Sequence, residues 1–313
     1  MGKRKLKKSS QKLLLGFIAI IIFSLLGLLT ANEELISTVS KITGENTSIS
    51  NESEIKDDNT NFNIDSKLIV DFIDVGQADS ILIRNDSHAM LIDEGNNEDG
   101  DDVVKFIQDK GVSKLNYVIG THPHEDHIGG LDDVINSNIE IENIYMPKIE
   151  TTTKTFESVV DAVINKNLEI TSPKKDDSFS LGDGICTIMT DSILDKSNLN
   201  LSSIVIKLEF GNNTFLFMGD AEIENEKGID WPKVDVLKVG HHGSNTSSST
   251  EFLSKVAPKY SIIMVGQDNS YGLPKQEILD RLNGVNSKTY RTDENGTIEI
   301  ISDGTNISVT TEK

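Results

Sequence analysis

The pattern of apolar and polar positions divides the chain into three regions. Residues 13–31, LLLGFIAIIIFSLLGLLTA, are apolar and carry no charge. At 1.5 Å per residue this predicts a helix of about 28 Å, the thickness of one bilayer core. Residues 32–66 are rich in Asn, Ser, Thr, Glu and Asp without an apolar period, which predicts a solvated spacer. From residue 67 to 313, short apolar runs bounded by turn residues alternate with helical periods. Strands are predicted at 68–74, 80–84, 89–93, 115–120, 141–146, 184–190, 203–210, 214–218, 234–239, 260–265, 297–302 and 307–311. Helices are predicted at 101–108, closed by Gly111, and at 152–165, with Phe156, Val159, Val160 and Val163 on one face. Two more are predicted at 250–256 and 274–282. Two β-rich halves with helices between them predict an α/β fold, two sheets packed face to face with helices outside.

Charge changes the picture at the N-terminus. Lys3, Arg4, Lys5, Lys7, Lys8 and Lys12 form a basic tail, residues 1–12, with no acid among them. A basic block before the span, with Glu33 and Glu34 after it, predicts a cytoplasmic N-terminus and an extracytoplasmic domain. Cleavage after Ala31 would need a small residue where Leu29 stands, so an uncleaved signal anchor is expected. Against the chain's formal charge of −20, the remainder holds 24 basic and 50 acidic residues, a formal −26. Such a surface disfavours binding of long nucleic acid. Cys186 is the sole cysteine, which excludes a disulfide framework and a multi-thiolate zinc site.

Five of the six histidines fall in two short clusters. The first is Thr121-His122-Pro123-His124-Glu125-Asp126-His127-Ile128-Gly129-Gly130, directly after an apolar strand. In extended chain His122, His124 and Asp126 share a face, and His127 comes round at the glycine turn. Three imidazoles and a carboxylate suit zinc, manganese or iron. Glu125 points the other way and is not expected to ligate. The second is Gly240-His241-His242-Gly243-Ser244, whose adjacent imidazoles are expected to face apart, one ligating and the other meeting substrate or a proton. His88 is expected in an exposed turn and Cys186 in the core.

His122-x-His124-x-Asp126-His127 resembles the metal-binding motif of the metallo-β-lactamase superfamily. The runs 71–80, DFIDVGQADS, and 238–244, KVGHHGS, are similar to the hydrolase domain of ComEC-type DNA-uptake proteins and their stand-alone relatives. The resemblance covers about residues 67–313 and lacks the ComEC membrane channel. It implies a four-layer αββα sandwich. It further implies that Asp93 supports the site from behind the ligands, that Asp220 bridges two ions, and that His241 or His242 is the last ligand. We expect His241 to ligate and His242 to act in catalysis. The superfamily's further histidine between the first motif and the bridging Asp is absent, and Asn200 lies about where it is expected. One ion would then have His122, His124 and Asp220 with at best a weak amide donor. The other would have Asp126, His127, Asp220 and one of the paired histidines.

One or two divalent ions, Zn or Mn, are expected; two held about 3.5–4 Å apart lower the pKa of a shared water to about 7 and supply a nucleophile for a carbonyl or phosphorus. Asp126, Asp220 and His242 are the residues expected to carry that step. Ser244 and Asn245 add donors suited to a phosphate oxygen, Lys238 lends local positive charge, and Asp79 orders the loop beneath the metals. The expected activity is phosphodiester hydrolysis. Acyl hydrolysis, as by a β-lactamase or lactonase, and a non-catalytic domain stabilised by metal are the alternatives.

Overall fold

The computed structural model describes residues 66–313. The basic tail, the 13–31 span and the spacer up to residue 65 lie outside the described residues. Among the described residues no helix is long and apolar enough to cross a membrane.

Two sheets carry the fold. The first has eight strands in the order Ile307–Thr311, Ile298–Ser302, Leu68–Phe72, Ser80–Asn85, His88–Glu94, Tyr117–Ile119, Ile144–Tyr145 and Ile170–Thr171. The second has seven, Lys288–Arg291, Tyr260–Ile263, Val236–Lys238, Asn213–Phe217, Ile206–Phe210, Gly184–Ile188 and Ser178–Leu181. Each sheet pairs antiparallel at one end and parallel at the other, where helical crossovers intervene.

Three apolar clusters correspond to the three interfaces of a four-layer αββα sandwich. Val70, Phe72, Ile81, Ile83 and Ile300 of the first sheet meet Cys186, Leu208, Phe215 and Phe217 of the second. Leu82, Leu91 and Val118, on the opposite face of the first sheet, meet Val103, Ile107, Val134 and Val159 from helices Gly100–Asp109, Leu131–Asn136 and Lys154–Asn165. Leu216, Leu237 and Ile263 of the second sheet meet Phe252, Val256, Ile278 and Leu282 from helices Thr250–Val256 and Gln276–Gly284. Both sheets are covered on two faces, so their strands read as nearly continuous apolar runs. Local signals set the helix ends. Thr153 and Ser249 accept hydrogen bonds from the Phe156 and Phe252 amides at the starts of their helices. Gly111, at φ +77°, turns the chain out of Gly100–Asp109.

The predicted strand at 115–120 is two strands in different sheets. Lys114–Leu115 pairs with Glu140–Ile141, while Tyr117–Ile119 enters the large sheet beside Ile144–Tyr145. The predicted strand at 141–146 divides the same way.

The loops that close over the site end of the first sheet are joined through the main chain. The Asp79 amide donates to the Asp126 carbonyl at 3.1 Å, Gly95 to Asp79 at 2.9 Å, and Gly129 to Gly95 at 2.9 Å. Gly129 is wedged so tightly that an added Cβ would stand 2.2 Å from the Asn96 carbonyl carbon and 2.3 Å from the Asn97 nitrogen. Main chain surrounds it on both sides, so no flexible side chain can give way. We expect Gly129→Ala to cost at least about 3 kcal/mol, the upper end of ordinary overpacking. Urea unfolding checks this, and a variant within about 0.5 kcal/mol of wild type would show that the loop yields.

Candidate metal centre

Both sheets deliver chemistry to the same edge. Strand His88–Glu94 ends on Asp93, and Tyr117–Ile119 leads through Thr121 to His122. His124 is the extended residue before the one-turn helix Glu125–Ile128, which carries Asp126 and His127. From the second sheet, Asn213–Phe217 leads to Asp220, and Val236–Lys238 leads to His241 and His242. Gly219, at φ +51°, permits the two sets of loops to meet, since a Cβ there would lie 2.9 Å from the Thr121 hydroxyl.

Asp126, His127, Asp220 and His242 offer donor atoms that all lie within 4.8 Å of one another. His127 Nε2 stands 3.3 Å from Asp220 Oδ1, and His242 Nε2 stands 3.3 Å from Asp126 Oδ2 and 3.6 Å from Asp220 Oδ1. His127 Nε2, His242 Nε2 and Asp220 Oδ1 are buried without a hydrogen-bond partner. Buried polar atoms are rarely left unpaired, and a convergent trio of lone-pair donors fits a divalent cation. The far nitrogens of both rings are held. His127 Nδ1 donates to Asp93 Oδ2 at 2.8 Å, and His242 Nδ1 to the Met264 carbonyl at 2.9 Å. Such contacts fix the tautomer that presents Nε2.

On the other side of Asp220, His122 Nε2 lies 4.0 Å and His241 Nε2 3.6 Å from Oδ2. His124 Nδ1 lies 2.9 Å from His122 Nε2. The paired histidines therefore do not face apart. Both have positive φ, about +50°, and two successive left-handed residues bring both rings inward. This backbone is uncommon without glycine and concentrates at functional sites. His242 rather than His241 stands with Asp126 and His127.

Electrostatics separates the two sides. Burial lowers the pKa of His122 well below the ordinary value and that of His124 to a lesser degree, leaving neutral lone pairs. Burial also opposes charge on His127 and His242. There the carboxylates of Asp220, Asp93 and Asp126 outweigh it for His127, and those of Asp220 and Asp79 raise His242 to about 10. Burial likewise opposes charge on Asp220, but the surrounding imidazoles, His127 foremost, hold its pKa well below the carboxylate range. These carboxylates draw positive charge into the pocket, which a divalent cation also supplies.

Beneath the donors, Asp93 takes the Thr121 amide at 2.7 Å and hydroxyl at 2.9 Å as well as His127. Lys238 is fully buried and paired with Asp79, whose other oxygen faces His242 Nδ1 at 3.4 Å. Its ammonium thus supports the centre from below and does not line the cleft. Glu125 bonds back to the Asn97 amide at 2.9 Å. Ser244 is buried against Thr246, whereas Asn245 and Thr246 are exposed beside His241. Asn200 is buried, its amide nitrogen 3.3 Å from His241 Nε2 and 3.5 Å from Glu222 Oε1. His88 is exposed at the far end of its hairpin, outside the centre. Glu222 was not among the sequence candidates, and its signal was its position two residues after Asp220. Asp126 opens onto a cleft of about 860 Å³, walled by Asp74, Gln77, Asn97, Glu98, Asp99 and Tyr271.

The fold and this centre define a class. The metallo-beta-lactamase superfamily profile matches residues 73–267, and the chain belongs to that superfamily of hydrolases. Within it, the chain is 31% identical over 252 residues to ComE operon protein 3 of Bacillus subtilis, covering 74% of this chain and 32% of that protein. It is 28% identical over 238 residues to Recombination protein 2 of Haemophilus influenzae, covering 74% of this chain and 28% of that one. The chain thus spans about a third of the length of these relatives. Among solved structures, the metallo-beta-lactamase fold protein YhfI from Bacillus subtilis matches with a TM-score of 0.50 at 13% identity, over 72% of this chain and 96% of that chain.

Proposed function

We propose that the protein is a metal-dependent phosphodiester hydrolase, anchored in the cell membrane through residues 13–31 with its cleft outside the cytoplasm. The observation that carries the hydrolase reading is the convergence of His127 Nε2, His242 Nε2 and Asp220 Oδ1, buried and unpartnered, beside Asp126, which lines a cleft. Divalent ions, Zn or Mn, supply an acidified water and a concentrated positive charge when bound. The chain's own residues do the rest. Asp126, His127, Asp220 and His242 hold one ion, and His122, His124 and Asp220 contribute to a second. Asp93 and the Met264 carbonyl keep the ligating rings in the tautomer and orientation the site needs. The exposed Asn245 and Thr246, beside His241, offer donors to a phosphoryl oxygen. Likeness to a protein named for recombination supports a linkage of the nucleic-acid type. The acidic cleft wall repels a long polyanion, so short strands or free ends are the substrates that fit best.

The test is hydrolysis of an aryl phosphodiester by the purified full chain with added Mn or Zn, beside a chromogenic lactam. We expect phosphodiester turnover that chelation abolishes. Lactam opening without phosphodiester turnover would reassign the protein to acyl transfer, and turnover of neither would leave a metal-stabilised binding domain.

A further inference from the structure

The geometry points to His241 as a metal ligand in its own right: the tandem histidines divide between the two ions, His242 serving the Asp126–His127 side of Asp220 and His241 serving the His122–His124 side. This rests on the reading above that the centre holds metal. It assigns the donor that the missing middle histidine would otherwise have supplied.

Four observations carry it. First, Asp220 is flanked evenly. His242 Nε2 lies 3.6 Å from Oδ1 and His241 Nε2 lies 3.6 Å from Oδ2, so each ring addresses its own carboxylate oxygen. Second, His241 shares Oδ2 with His122 Nε2, at 4.0 Å, and so belongs to the group lacking a third imidazole. Third, its far nitrogen is held as those of His127 and His242 are. Nδ1 lies 2.9 Å from the Thr246 hydroxyl and 3.5 Å from Glu222 Oε1. A carboxylate or hydroxyl behind one ring nitrogen fixes the proton there and leaves the other as a ligand. The Asn200 amide nitrogen lies between the two ring nitrogens, 3.3 Å from Nε2 and 3.4 Å from Nδ1, and does not itself choose the tautomer. Fourth, His241 and His242 both have φ about +50°, and in this paired left-handed turn both Nε2 atoms stand 3.6 Å from Asp220.

Asn200 is the rival donor. Its Oδ1 is buried without a partner, and the residue stands near the expected position of the missing ligand. In the assignment proposed here its amide positions His241 and Glu222, and it is not the donor on which the site depends.

The experiment is metal binding by the full chain, read by metal content after equilibrium dialysis and by the visible spectrum of the cobalt-substituted protein. Wild type should hold two ions. His241→Ala and His241→Gln should each retain one ion, with the other constant weakened by more than about 100-fold, beyond the usual cost of removing an outer partner. Their cobalt spectra should lose one of two components. Asn200→Ala should still hold two ions, its constants weakened by no more than about 100-fold, the cost of removing an outer partner. Circular dichroism confirms the fold of each variant. Two ions retained in both His241 variants overturns the assignment, as does a wild type that holds fewer than two. Loss of an ion in Asn200→Ala but not in the His241 variants overturns it in favour of the amide. Since these readouts need no turnover, a chain that binds two ions but cleaves no phosphodiester would remove the proposed substrate class and leave this ligand assignment standing.

Discussion

Asp220→Ala should abolish metal-dependent turnover while leaving a folded protein. The carboxylate lies between the two donor groups, with Oδ1 facing His127 and His242 and Oδ2 facing His122 and His241. It is nearly inaccessible, and its amide is anchored on the Ser203 hydroxyl at 3.2 Å. Removing it leaves two cations facing each other across a few ångströms without the shared anion that offsets their repulsion. Both ions should weaken together, and phosphodiester turnover should fall by at least about 10³-fold, more than the loss of a single oxyanion donor costs. His88→Ala removes an imidazole outside the centre and should change stability by no more than about 0.5 kcal/mol, with activity intact. If Asp220→Ala keeps a substantial part of its activity at saturating metal, Asp220 does not join the two groups.

The second large effect is on stability. Lys238 and Asp79 form an ion pair with side chains 0% and 1% exposed. The ammonium's other polar neighbour is the Gly219 carbonyl at 3.4 Å, a weak contact. Asp79→Ala therefore leaves a buried cation with little compensation, and breaking such a pair costs about 3–5 kcal/mol. Replacing Lys238 with Met in the same background removes the stranded charge and keeps a flexible apolar chain in the space. The double variant should recover most of the loss, because an isosteric apolar pair is often as stable as a buried ion pair. Urea midpoints measured with a chelator present isolate this from metal binding. A double variant no more stable than Asp79→Ala would mean that Asp79 acts chiefly through His242 and the loop beneath it.

Local patterns in the sequence carried the frame of the fold, and the gaps have physical causes. The hairpin of the first sheet and the helices at 250–256 and 276–284 were legible because long apolar runs or helical periods mark them. Ile170–Thr171, Ser178–Leu181 and Lys288–Arg291 were not, since edge strands need few apolar residues and Lys-Thr-Tyr-Arg has no alternation to see. The run 115–120 read as one strand because period does not reveal which sheet a residue joins. In the centre, the residue types of the first motif were legible. The extended alternation expected to put Asp126 on one face with His122 and His124 was not kept, since Asp126 lies in the one-turn helix Glu125–Ile128 and stands with His127 and His242. The inward turn of both His241 and His242 was not legible, because it depends on backbone angles that nothing in two histidines demands. The Met264 carbonyl was invisible for another reason, namely that a backbone carbonyl carries no residue-type signal and matters only once folding sets it behind His242.

The main-chain links among Asp79, Gly95, Asp126 and Gly129 have a kinetic consequence. They position the His127 turn through peptide groups alone, so the ordering entropy of this corner belongs to folding of the domain. A cation bound here would enter a finished socket, in contrast to small zinc modules, whose metal affinity is spent on folding the chain around the ion. Amide protection in this corner should therefore be the same with and without the ion, and exchange of one ion for another should be paced by shedding hydration water rather than by refolding.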